Sequence, residues 1–175
     1  MAQPAAKTSL TPDAAPAADL RAYRQALGNF ATGITVVTTV TTKGMPIGLT
    51  VNSFTSVSLD PPLVSWCLGK NALSLEVFEA APYFAVNVLA ADQAPLVQHF
   101  AQRTLHKFDG IQATAGLGGV PLLDDVVARF ECRTAGRYAG GDHVIYLGEV
   151  ERYARFDKVP LVFVQGRYVP LTDAP

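Results

Sequence analysis

Residues 48–62 read Gly-Leu-Thr-Val-Asn-Ser-Phe-Thr-Ser-Val-Ser-Leu-Asp-Pro-Pro. Thr50, Asn52, Thr55, Ser56 and Ser58 interleave with Leu49, Val51, Phe54, Val57 and Leu59. The mixture is too polar for an ordinary core strand and too regular for a loop. β-Branched and aromatic residues favour an extended chain, so the pattern predicts one strand carrying hydroxyls and an amide beside apolar positions. Asp60-Pro61-Pro62 ends it, because proline lacks an N–H and restricts the residue before it. Such a strand offers short donors and backbone amides to a flat ligand with polar edges. The same pattern fits, and more commonly, a half-exposed Ser/Thr strand of any β-barrel.

The flanks extend the β reading. Residues 34–42, Ile-Thr-Val-Val-Thr-Thr-Val-Thr-Thr, form a β run, and Lys43-Gly44-Met45-Pro46 turns it back. The 48–59 strand is therefore expected antiparallel to it. Residues 62–68 form a third strand, apolar enough to be central, with Leu63, Val64, Trp66 and Leu68. A turn at Gly69-Lys70-Asn71 leads to a helix over 72–81 with Leu75 and Phe78 inward, which Pro82 ends. A strand over 83–89 follows. Asp92 caps a helix reaching about Arg103, with Leu96, Val97 and Phe100 on one face. Residues 104–119 read as loop. Residues 125–138 alternate cleanly, with Val126, Ala128, Phe130, Cys132 and Thr134 on one face. Ala139-Gly140-Gly141-Asp142 makes a hairpin turn, 143–153 the return strand, and 161–169 one last strand.

Upstream, residues 19–29 read as a helix capped by Asp19, with Leu20, Tyr23, Ala26 and Leu27 on one face. Residues 1–18 are rich in Ala and Pro and lack aromatics, so they read as a flexible tail. A tail folded over a neighbouring subunit is the alternative. The folded domain then covers 19–175. The sum is about seven strands and three helices without regular strand–helix alternation. Sequential hairpins predict a mainly β protein: an antiparallel Greek-key barrel with peripheral helices.

The chain has 175 residues, 49% of them hydrophobic and 17% charged, enough apolar material for one core. A net charge of −1 gives no electrostatic case for nucleic acid or an anionic membrane. Cys67 and Cys132 lie far apart in apolar runs and read as buried thiols of a reducing compartment. His99, His106 and His143 lack metal-ligand companions, so no metal is expected. No leader or membrane span is evident, and the cytoplasm is the expected location. The run Gly116-Leu-Gly-Gly119 lacks dinucleotide-fingerprint spacing. No Gly-x-Ser-x-Gly or paired-carboxylate motif stands out. Trp66 and Phe78 are assigned to the core.

Several blocks occur together in one order: residues 33–37 (Gly-Ile-Thr-Val-Val), the 50–62 stretch, residues 84–89 (Phe-Ala-Val-Asn-Val-Leu), Lys107-Phe108 and Gly141-Asp142-His143. In that order they resemble the flavin reductase-like family, small NAD(P)H:flavin oxidoreductases on a flavin-binding split barrel. The likeness is greatest to reductase components of two-component flavin-dependent monooxygenases. It implies reduction of FAD or FMN by NADH or NADPH, and delivery of reduced flavin to a partner monooxygenase.

The resemblance also implies a site. The flavin ring would lie along Thr50, Val51, Asn52, Ser53, Phe54, Ser56 and Val57, with Gly33, Ile34, Thr35 and Val36 facing it. Lys70, Asn71, Ala72 and Ser74 would meet the ribityl phosphate at a helix start. Phe100 and Lys107-Phe108 would close over the cofactor, and His143 would stand beside the nicotinamide. Hydride transfer itself requires no acid–base triad, so no catalytic side chain is expected. A flavin-binding electron carrier without turnover and a pyridoxine-phosphate-type oxidase on the same barrel are the rival readings. Low charge and a mean hydropathy of +0.21 further predict a homodimer.

Overall fold

A computed structural model of the chain describes residues 15–169 and residue 171. Residues 1–14, most of the expected tail, lie outside the described residues, and Pro16–Ala18 form a single 3-10 turn. Helix α1 (Leu20–Leu27) begins where its cap predicts, with the Asp19 carboxylate accepting from Arg21 and Ala22 N–H. Its apolar face does not turn inward as expected. Leu20, Tyr23 and Leu27 are exposed, and no residue of α1 is buried. Among the described residues, its C-terminal end is held by Gln165, whose N–H and side-chain amide donate to Gly28 O and Asn29 Oδ1.

The strands are β1 (Thr32–Gly33), β2 (Thr35–Val40), β3 (Pro46–Val51), β4 (Thr55–Leu59), β5 (Pro62–Gly69) and β6 (Tyr83–Val88). There follow β7 (Ala113–Ala115), β8 (Pro121–Leu123), β9 (Ala128–Gly140), β10 (His143–Arg155), β11 (Val162–Val164) and β12 (Arg167–Val169). Helices α2 (Leu75–Ala80) and α3 (Ala94–Ala101) complete the set. The main sheet has the order β3-β2-β6-β9-β10-β5-β4 and is antiparallel at every pairing. The mainly β, antiparallel architecture with peripheral helices follows the expectation.

The 48–59 stretch is not one strand. It breaks at Asn52-Ser53-Phe54 into β3 and β4, which occupy opposite edges of the seven-stranded sheet. Four peptide units from Val51 to Thr55 reach at most about 15 Å, so the sheet must roll until its two outer strands approach. No backbone ladder joins them, and the roll stays open along that seam. The Ser53 hydroxyl bridges it by accepting the Cys67 N–H at 2.9 Å, two residues beyond the β4–β5 pairing.

Two other expectations are corrected. The last strand is a hairpin, β11 and β12, because Gln165 and Gly166 take φ of 51° and 75°. The 104–119 loop contains β7, which pairs with β8. The core places Trp66, Phe78, Phe84 and Tyr146 inside the roll, with Trp66 stacked on Tyr146 at 4.6 Å. Phe100, Val97, Leu89 and Leu123 form a second cluster beneath α3. No described helix is long and apolar enough to cross a membrane.

Candidate flavin-binding groove

Two clefts meet at the open seam. The first, about 350 Å³, lies between β3, the turn after β5 and the loop after α3. Asn71, Ser74, Arg103 and Lys107 are among the residues that line it. The second, about 360 Å³, runs along Val51, Asn52 and Ser53 to Gly69 and His143. The clefts share Leu49, Thr50, Asn71 and Ala72, so they abut as one groove. The groove exists because β3 ends at Val51: a strand continuing straight would not carry Asn52 and Ser53 across to β5.

Of the expected site residues, Thr50, Val51, Asn52, Ser53, Asn71, Ala72, Ser74, Phe100 and His143 line this groove. Several hydroxyls already have partners. Thr50 Oγ1 donates to Val97 O of α3 at 2.7 Å, and Thr35 Oγ1 donates to Val51 O at 3.0 Å. They fix the wall of the groove. Gly33 is exposed at the end of β1, while the Ile34, Thr35 and Val36 side chains are buried in or beside β2. Phe54 stacks on Phe130 at 5.6 Å. Ser56 and Val57 lie on exposed β4, at the bulge between Ser56 and Ser58. None of these seven lines the two clefts.

Three placements correct the sequence reading. Phe100 has no exposed surface, so it is not a lid; its ring packs in the core against Phe108 at 5.3 Å. Lys70 does not line the groove. Its ammonium donates to Gly141 O at 2.6 Å and its N–H to Asp142 O, fastening the β9–β10 turn. Helix α2 begins at Leu75 and has six residues, and its Ser74 N-cap makes no side-chain cap bond, so its dipole is a weak anion anchor.

Lys107 is buried instead of closing over a ligand from outside. It is 8% exposed, and Nζ donates to Phe100 O at 2.8 Å. Burial alone lowers its pKa, since no carboxylate of the described residues lies within 4 Å. The 104–119 segment reads as loop, which hides this. The one sequence signal was the Lys107-Phe108 pair itself.

His143 heads β10 opposite Gly69 on β5. Its Nδ1 donates to the Asp142 carboxylate at 2.7 Å. That hydrogen bond, and then the charge of the ring, hold the Asp142 carboxyl below its usual range. With Nδ1 engaged, Nε2 is left toward Gly69 and the groove; a Cβ at Gly69 would stand 3.8 Å from it.

Fold and groove together define a small antiparallel β protein built to hold an elongated ligand, cationic at one end of its site and lined by short polar groups along the rest. Comparison with known proteins makes this specific. Residues 27–172 match the flavin reductase like domain, and the chain belongs to that family. It is 48% identical over 148 residues to the FMN reductase (NADH) SmoA of Agrobacterium fabrum, covering 85% of this chain and 84% of that one. It is 38% identical over 156 residues to the flavin-dependent monooxygenase reductase subunit HsaB of Rhodococcus jostii, covering 89% and 80%. Among solved structures, the Streptomyces globisporus NADH:FAD oxidoreductase SgcE6, in complex with NAD and FAD fragments, superposes with a TM-score of 0.85 at 41% identity. That match covers 91% of this chain and 96% of the other.

Proposed function

We infer that the protein is an NAD(P)H-dependent flavin reductase that reduces FAD or FMN and supplies reduced flavin to a partner monooxygenase. The observation that carries this is the groove running from the buried Lys107 ammonium, past Thr50 and Ala72, to Ser53 and His143. Its residues fit a flavin: a cation with no carboxylate partner suits the phosphate end, and the β3 edge and Ser53 crossing suit the ring. When bound, flavin and reduced nicotinamide would supply the hydride-transfer chemistry between them. The chain's part is to align two rings and exclude competing poses. Backbone groups around the β3 end would stabilise the negative charge that grows on a bound flavin as it is reduced. His143, oriented by Asp142 and standing opposite Gly69, would position the nicotinamide. A carrier without turnover would need no such group there.

The open seam supports release of reduced flavin, since the groove is bounded by strand edges and not by a closed cage. HsaB is named as the reductase subunit of a flavin-dependent monooxygenase, which supports the same division of labour here. Mixing the purified protein with NADH or NADPH and each of FMN, FAD and riboflavin, and following loss of reduced-nicotinamide absorbance, tests the reading. Absence of turnover with every pair would refute it.

The chain also forms a homodimer in this reading. The unburied stripe Leu20, Tyr23 and Leu27, with Phe30 at 79% exposure beside it, is apolar surface that a monomer rarely leaves to water. A second subunit would cover it. Multi-angle light scattering should give twice the mass of 18.6 kDa; a monomer mass at micromolar concentration refutes the dimer. The free thiols Cys67 and Cys132 support a reducing cytoplasm as the location.

A further inference from the structure

We propose that Thr35, buried behind the groove wall, is a positioning residue: its hydroxyl aims the Asn52 peptide N–H into the groove and thereby adds to the site's affinity for reduced flavin over oxidised flavin. The inference rests on the flavin reading of the groove.

Thr35 stands on β2 opposite Val51, the last residue of β3. It is 2% exposed, so its side chain has no access to a ligand. Its Oγ1 donates to Val51 O at 3.0 Å. That carbonyl belongs to the first peptide unit of the crossing from β3 to β4. The unit is trans, and in a planar trans peptide the C=O and N–H point in opposite directions. With Val51 O turned to β2, the Asn52 N–H is turned away from it. β3 is an edge strand, so no ladder meets this peptide on its other side. Asn52 lines the second cleft, and its N–H has no partner among the described residues. The Ser53 hydroxyl, accepting the Cys67 N–H at 2.9 Å, ties the next residue to β5. The crossing is thus held at two points, on β2 and on β5, with an unpaired N–H between them.

A valine would suit β2 as well as threonine does, being β-branched and of similar size. A buried hydroxyl is costly unless it is bonded, and here the bond it makes is to Val51 O. Freed from Thr35, the peptide unit at the open end of β3 would gain room to rotate. Reduction moves a hydride, two electrons with one proton, from NAD(P)H to flavin and leaves NAD(P)+. The flavin gains one negative charge in that step. A fixed N–H on the groove wall is worth more to the charged form than to the neutral one. Thr35 therefore acts on the reduced state through Asn52, without touching either cofactor.

The test is anaerobic titration of the full chain with oxidised FMN and with dithionite-reduced FMN, for the wild type, T35V and T35S. T35V should weaken reduced FMN by about threefold to tenfold more than oxidised FMN. For a two-electron couple that lowers the midpoint potential of the bound flavin by about 14–30 mV. T35S, which keeps the hydroxyl, should restore most of the wild-type ratio. Equal weakening of both redox states would make Thr35 merely structural and overturn the inference, as would an unchanged ratio or a T35S that behaves like T35V. If T35V does not fold, T35C, similar in size with only a weak donor, is read in its place by the same criteria. A wild type that binds both states of FMN, with a ratio that T35V leaves alone, sinks the Thr35 assignment and leaves the reductase reading standing. A wild type that binds FMN in neither state sinks both.

Discussion

Gly48→Ala probes the joint between β3 and α3. Gly48 of β3 pairs with Thr38 of β2, and its α-carbon faces the Phe100 ring. A Cβ there would stand 2.7 Å from Phe100 Cε1, 2.8 Å from Cδ1 and 3.2 Å from Phe108 Cε2. The first two are far inside van der Waals contact. Phe100 is fully buried with the His99 and Phe108 rings each 5.3 Å away, so any retreat disturbs the packing under α3 or intrudes on the cleft. Overpacking of this kind costs about 1–3 kcal/mol. For a domain of this size each kcal/mol moves Tm by roughly 2–4 °C, so the expected fall is about 2–12 °C. Gly48 and Phe100 both line the first cleft, so affinity for FMN should fall as well. Differential scanning fluorimetry and flavin titration read the two effects. Gly33→Ala is the thermal control, since nothing lies within 4 Å of its Cβ; its Tm should stay within about 2 °C of wild type. If Gly48→Ala melts with the wild type, the close approach of β3 to Phe100 is wrong.

Three further outcomes are expected. His143→Ala should raise the Michaelis constant for NAD(P)H about 10- to 100-fold while flavin affinity barely moves, and His143→Asn should recover part of the loss; loss of flavin binding instead would refute the positioning role. Ser53→Tyr places a ring in the second cleft and removes the acceptor of the Cys67 N–H, so flavin affinity should fall by orders of magnitude with the fold kept; an unchanged titration takes the crossing out of the site. The Cys132 thiol is pushed up to about 12 by burial and then by the Glu131 and Glu151 charges, whereas Cys67 lines the groove; maleimide at pH 8 should add once, at Cys67, and less in the presence of FMN, with a second adduct on folded protein counting against the burial of Cys132.

Much of the fold is legible because hairpin chemistry is local. The Lys43-Gly44 turn, the Gly140-Gly141 turn and the alternation through Phe130, Cys132 and Thr134 each fix a strand pair without distant information. What the sequence conceals is where a strand leaves its sheet. The break between β3 and β4 has a trace: Val51 and Phe54 are three apart, out of phase with the two-residue alternation of Leu49 and Val51. That slip looks like a bulge until the sheet order is known, because nothing local says that β4 pairs on the far edge. The exposed face of α1 is hidden for a related reason. An apolar stripe predicts burial against something, and periodicity cannot distinguish the same chain from another.

The cations show the limit most clearly. Lys70 stands in a polar turn ahead of a helix, the arrangement sequence reasoning associates with phosphate, yet it serves the turn of β9 and β10. Lys107 stands in an undistinguished loop, and three separate facts make it the groove's cation. The last turn of α3 supplies a carbonyl, His99 holds its backbone, and Lys107 lines the first cleft together with Thr50 of β3. None of the three is encoded next to Lys107, and each depends on the chain folding back over α3. Its environment is therefore a property of the tertiary structure. The same burial that lowers its pKa makes an anion the partner that relieves it, and ties the stability of the loop to occupancy of the groove.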